Sequence, residues 1–194
     1  MSRSATVSRE TKETNVKLSV ELDGSGVAAI NTGVGFYDHL LESFAHHSLI
    51  DIDITTEGDL HIDEHHTVED TALVLGSALA EALGDRTGIQ RFGSATVPMD
   101  EALATAAVDV GGRPYAVIDL EFATDRLGQL GTQMIPHALE ALARTAGCTI
   151  HVTARGGNDH HIAEAGFKAL ARAMRAAVAT DPRRSGIAST KGTT

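Results

Sequence analysis

The chain has one cysteine, Cys148, in 194 residues. That excludes an internal disulfide and any cysteine-based zinc site. Basic residues are scarce as well, with 16 Lys and Arg against 26 Asp and Glu and a net charge of −10 with histidine neutral. A general nucleic-acid binder carries a basic face, so this balance argues against one and leaves room only for local basic pockets. No apolar run approaches the length of a membrane span. The stretch MSRSATVSRETKETN lacks the apolar core of a signal peptide. A soluble cytoplasmic protein without nucleic-acid or membrane partners is therefore expected. At 42% hydrophobic and 22% charged residues, the composition is that of a globular domain with one buried core.

Histidine is what the chain has in excess. There are ten, in clusters at 39–47, 61–66, 137, 151 and 160–161. The strings HHTVED at His65 and HHIAEA at His160 share the pattern His-His-x-x-Glu at an offset of 95 residues. Further on, Leu75 pairs with Leu170, Ala78 with Ala173 and Ala82 with Ala177, at helical spacing. Upstream, DHLLESFAHHSLIDIDIT from Asp38 matches PHALEALARTAGCTIHVT from Pro136 at an offset of 98, so that His39 pairs with His137. Two matched blocks in the same order imply an internal duplication. Two similar halves are expected, 1–92 and 93–194, within one compact domain.

Alternation of apolar and polar residues predicts strands over 15–22 and 49–56, and a short strand over 27–31 pairing back on the first after a turn at Asp23–Gly26. Helical spacing predicts helices over 37–47 and 67–83, the second stopped by Gly84. The other half repeats the scheme, with strands near 104–110, 114–121 and 148–154 and helices over 136–146 and 160–179. The tail 186–194 is polar and loop-like. The fold class is α/β (α+β), each half a small sheet with two helices on one face. The Ala-rich helices are apolar on more than one side, which suits packing between halves or between subunits.

On a helix, residue i faces i+3 and i+4. His65 and His66 can both approach Glu69, and His160 and His161 can both approach Glu164. Adjacent residues diverge by about 100° around the axis, so one motif suits two ions better than one. Six imidazoles (His39, His65, His66, His137, His160, His161) and two carboxylates (Glu69, Glu164) divide into four protein ligands for each of two ions. An octahedral metal would keep positions open for substrate or water, as a catalytic site requires. His46 and His47 have no histidine counterparts and fall outside the set. His61 and His151, read as strand residues, are taken as structural.

These motifs identify a resemblance. The segments TKETNV (11–16), GVGFYDHLL (33–41), GDLHIDEHHTVEDTALVLG (58–76), RFG (91–93), MDEAL (99–103), DVGGRPY (109–115), NDHHIAEAGFKALARAM (158–174) and STKG (189–192) are similar to the imidazoleglycerol-phosphate dehydratase family over nearly the whole chain. PHALEALA at 136–143 departs from it in lacking an aromatic pair after the histidine. The resemblance implies two Mn(II) ions per active site and a 24-subunit homo-oligomer with sites between subunits. It implies loss of water from D-erythro-imidazole glycerol phosphate to give imidazole acetol phosphate, in histidine biosynthesis. It also implies Glu13 as catalytic proton shuttle at the substrate, with Arg91, Arg113, Lys168, Ser189 and Lys191 holding the phosphate. The chemistry is consistent: the hydrogen lost is not acidified by a carbonyl, and metals on the ring nitrogens would favour a ring anion able to expel the hydroxyl. The same ligands leave open a di-metal hydrolase, or a non-catalytic metal store that would need no phosphate-binding set.

Overall fold

In the computed structural model, which describes residues 3–192, two four-stranded sheets share one topology. β1 (Ser4–Glu10), β2 (Thr14–Glu21), β3 (Ala28–Asn31) and β4 (Asp51–Gly58) lie in the order β1-β2-β4-β3. β5 (Phe92–Met99), β6 (Ala102–Asp109), β7 (Tyr115–Leu120) and β10 (Thr149–Arg155) lie in the order β5-β6-β10-β7. Taken in chain order within each sheet the two arrangements are identical, as an internal duplication requires. A small hairpin, β8 (Arg126–Leu127) and β9 (Leu130–Gly131), belongs to neither. The ends of the chain at 1–2 and 193–194, including the last two residues of the polar tail, lie outside the described residues.

The helices are α1 (Gly35–Ser48), α2 (His65–Leu83), α3 (Met134–Ala146) and α4 (Asp159–Val178). Strand alternation decides which sheet face they cover. Val16, Leu18 and Val20 of β2, with Ile52 and Ile54 of β4, point inward, as do Ala104, Ala106, Ile150 and Val152 of the second sheet. α1 and α2 pack on the first sheet, α3 and α4 on the second, and α2 meets α3 as α1 meets α4. The helices thus lie between the sheets, buried on several sides, and one hydrophobic core runs through both. Small residues permit the close approach. A Cβ on Gly76 of α2 would stand 2.1 Å from Thr145 Oγ1 and 2.5 Å from the Leu142 carbonyl of α3. Cys148 is free and buried, and burial pushes its thiol up to about 12. Among the described residues no helix is long and apolar enough to cross a membrane.

Three expectations are corrected. Segment 27–31 does not pair back on β2. β3 runs parallel to β4, because both edges of β2 are already taken, one by β4 and the other by β1. β1 itself escapes sequence reading because only Ala5 in it is fully buried. β5 opens at Phe92, one residue before the expected boundary between the halves. His61 lies in an exposed turn before α2 and not in a strand, whereas His151 is on β10 with its side chain on the exposed face.

Candidate metal centre

The two His-His-x-x-Glu motifs open helices by the same local device. The Asp63 carboxylate accepts the His65 backbone N–H at 2.8 Å, and the Asn158 side-chain oxygen accepts that of His160 at 3.0 Å. Each contact satisfies a backbone donor that the first helical turn leaves unpaired. α2 begins at His65, two residues before the expected start, and α4 at Asp159, one residue before its histidine pair. Helical geometry then brings the first histidine of each pair over its own glutamate. His160 Nε2 is 2.7 Å from Glu164 Oε1, and His65 Nε2 is 3.8 Å from Glu69 Oε2.

The single histidines arrive from the opposite half. Because α1 packs on α4, His39 Nε2 lies 2.9 Å from Glu164 Oε1. Because α3 packs on α2, His137 Nε2 lies 3.6 Å from Glu69 Oε1, with its ring 4.9 Å from that of His65. Two trios result, His39–His160–Glu164 and His65–Glu69–His137, and within each the ligand atoms lie within 4.8 Å of one another. The expected second histidines of the pairs turn aside. The His65 and His66 rings stand at 82° and the His160 and His161 rings at 87°. His66 faces Asp59 and Glu13, and His161 faces Glu101.

The electrostatics suit a cation at both trios. Burial alone would raise the Glu164 carboxyl, but hydrogen bonds from Lys168, His39 and His160 outweigh it and hold the group at about 2. In the other trio, His137 Nε2 is buried with no hydrogen-bond partner. Such an orphan costs about 1–3 kcal/mol, and a metal bound to it, to His65 and to Glu69 would remove that cost. Two imidazoles and a carboxylate per trio are donors that suit Mn(II), Fe(II) or Zn(II). The residues fit a metal at each trio.

The other expected site residues divide between two places. Arg91, Arg113, Ser189 and Lys191 line one cleft. Arg91 is fixed there by Asp109, to which its Nε and Nη2 donate at 2.7 and 3.1 Å, and by the Ala188 carbonyl, which accepts from Nη1 at 2.6 Å. The Ser189 hydroxyl accepts the Lys191 backbone N–H at 3.2 Å. Lys168 is not in that cleft. It lies on α4, where its Nζ is 2.5 Å from Glu164 Oε2. Glu13 is exposed, and its Oε2 is 3.8 Å from His66 Nε2.

Several supporting residues went unread in the sequence. Besides the caps, Glu64 accepts from the Gly131 N–H at 2.8 Å and from Arg126 at 3.0 Å. Asp159 accepts from the N–H groups of Ala123 and Thr124, at 3.0 and 2.7 Å. The carboxylate before the first His-His pair therefore grips the β8–β9 hairpin, and the one before the second grips the loop leading into it. Extending the repeat two residues upstream, to Asp-Glu-His-His and Asn-Asp-His-His, was the signal for both devices.

A family model described as imidazoleglycerol-phosphate dehydratase matches residues 32–174. The imidazoleglycerol-phosphate dehydratase of Methanosarcina barkeri is 53% identical over 191 residues, covering 98% of this chain and 99% of that protein. The Sinorhizobium fredii enzyme of the same name is 52% identical over 195 residues, covering 100% of this chain and 96% of its own. Among solved structures, the Staphylococcus aureus dehydratase superposes with a TM-score of 0.83 at 34% identity, covering 92% of this chain and 99% of that one. The Pyrococcus furiosus structure, a complex with (S)-C348, also gives 0.83, at 35% identity, covering 97% and 100%.

Proposed function

This chain belongs to the imidazoleglycerol-phosphate dehydratase family, and from that premise we propose that it converts D-erythro-imidazole glycerol phosphate to imidazole acetol phosphate and water with two bound Mn(II) ions. At the coarser level it is a lyase of histidine biosynthesis. The observation that carries the finer reading is the pair of crossed trios, two sets of imidazole and carboxylate donors in one chain.

His39, His160 and Glu164 would hold one ion, and His65, Glu69 and His137 the other. Each trio is one ligand short of the four expected. His66 and His161, turned away from their own trios, would supply the missing donors to trios of neighbouring copies. A homo-oligomer of the proposed 24 subunits would then complete the sites. When bound, such ions supply Lewis acidity and a template for the imidazole ring.

The chain's own residues do the rest. Arg113, Lys191, Ser189 and Arg91 bind the dianionic phosphate, with Arg offering a planar fork of donors and Lys a point charge. Asp109 keeps the Arg91 guanidinium oriented in that cleft. Glu13, beside the His66 imidazole, arrives at whichever centre His66 completes, and its carboxylate is placed to take up and return the proton moved between substrate carbons. Lys168 neutralises Glu164 on the buried side of its trio.

The test is incubation of the protein with imidazole glycerol phosphate and Mn(II), following the ketone and assaying phosphate and ammonia in parallel. Ketone without either by-product is expected. Release of phosphate or ammonia would point to a hydrolase, and no turnover with full metal content to a store.

A further inference from the structure

His66 and His161, the two expected ligands outside the trios, share a feature that the duplication does not explain. His66 Nδ1 lies 3.0 Å from Asp59 Oδ2, and His161 Nδ1 lies 2.8 Å from Glu101 Oε2. Asp59 sits in the loop between β4 and α2, whereas Glu101 sits in the turn between β5 and β6. At the two offsets of the repeat, 95 and 98, the counterpart of Asp59 is Ala154 or Gly157, neither of them acidic. The halves therefore reach one arrangement from unrelated elements, which common descent of the two motifs would not by itself produce.

The arrangement has a chemical consequence. A neutral imidazole carries one N–H and one lone pair. A carboxylate accepting from Nδ1–H leaves the lone pair on Nε2 and fixes the plane of the ring. Glu101 is itself held, whereas Asp59 is buried against His66. The other Glu101 oxygen accepts the Gly157 N–H at 3.2 Å. Asp59 is only 16% exposed, and its Oδ1 is buried with no partner, so the His66 contact is what its buried carboxylate offers in return for that cost.

We propose that Asp59 and Glu101 are positioning residues, which fix the tautomer and direction of His66 and His161 so that each presents Nε2 as the fourth metal donor to a trio of another copy. This rests on the two-metal reading above. Carboxylates behind ligating histidines act in this way in metal sites generally and sharpen both orientation and basicity. Asp100, Glu101 and His161 also lie close enough to form a cation cluster of their own, and the choice of variants separates the two possibilities.

The experiment compares the parent with Asp59→Ala, Glu101→Ala, Asp59→Asn, Glu101→Gln and His66→Ala. Each is loaded with Mn(II) and dialysed against graded chelator. Bound Mn per chain is measured by elemental analysis, and the thermal unfolding of metal-free protein alongside. The alanine variants should release metal at about 10- to 100-fold lower chelator strength, with metal-free unfolding unchanged. Asn and Gln should restore most of the retention, because an amide oxygen still accepts from Nδ1–H but is a poor metal ligand. Parent-like retention by the alanine variants, while His66→Ala loses metal, would overturn the positioning role and leave the metal reading intact. A Glu101→Gln variant as weak as Glu101→Ala would make Glu101 a ligand and overturn it too. A parent that holds no Mn would fail the two-metal reading itself.

Discussion

His39 and Glu164 lie in opposite halves of the chain, 125 positions apart, and approach to 2.9 Å. His137 and Glu69 repeat the exchange in the other direction at 3.6 Å. Each trio takes its paired motif from one half and its single histidine from the other, because α1 packs on α4 and α2 on α3. A half alone holds no complete trio, so a bound metal and the packing of the two halves would stabilise each other.

His65→Ala and His161→Ala should both abolish turnover while the fold persists. His65 is a member of a trio, and His161 is the donor offered outward. Both are partly exposed, so truncation opens no core cavity. Steady-state assay, circular dichroism and metal content check this together. Wild-type activity from either variant with full metal content would remove it from the ligand set.

Lys191→Ala and Arg113→Ala should raise KM with bound metal unchanged. A charged hydrogen bond lost to the phosphate costs about 1.5–3 kcal/mol, about ten- to a hundredfold in KM. Asp109→Ala should act in the same direction, by releasing the Arg91 guanidinium. Loss of metal at unchanged KM would contradict the assignment of this cleft.

Gly76→Ala should destabilise the protein by about 1–3 kcal/mol through overpacking, since its Cβ would meet the α3 backbone at Leu142 and Ala146. Metal affinity should fall with it, because α2 and α3 together carry the trio of His65, Glu69 and His137. Gly35→Ala is the control, with nothing within 4 Å of its Cβ. Denaturant unfolding of both variants decides the point, and equal stabilities would show that α2 and α3 separate without cost.

Chelation, or a pH near 5, should shift the protein to smaller oligomers, with Mn(II) at neutral pH restoring the large one. The sign follows from the ligands. Glu164 is held at about 2 against an ordinary 4.5, so its contribution is present above 4.5 and is lost only as pH falls towards 2. It remains ionised at pH 5. An imidazole binds metal only when neutral, so acid and the ion compete for it. Light scattering after size exclusion reads the mass. An unchanged mass in demonstrably metal-free protein would mean that apolar contacts alone hold the assembly.

Much of this was legible in the sequence, for physical reasons. The duplicated His-His-x-x-Glu pattern survives because helix periodicity fixes which side chains share a face, and the strict alternation of β2, β4 and β10 marks the inner faces they bury. The crossing of the trios was not legible, since it depends on which helix packs on which, and that is set by close approaches such as Gly76 against α3. β1 was hidden by its exposure. Asp59 and Glu101 were hidden because they come from unrelated loops, so no repeat marks them. Lys168, expected at the phosphate, lies one turn of α4 from Glu164 and, within one chain, outside the cleft that the other four line.

The most direct measurement is a titration of metal-stripped protein with Mn(II), following dehydration of imidazole glycerol phosphate. Activity should be absent at the start, rise with added metal and level off at two equivalents per chain, one for each trio. Full turnover by demonstrably metal-free protein, or saturation at one equivalent, would contradict the account.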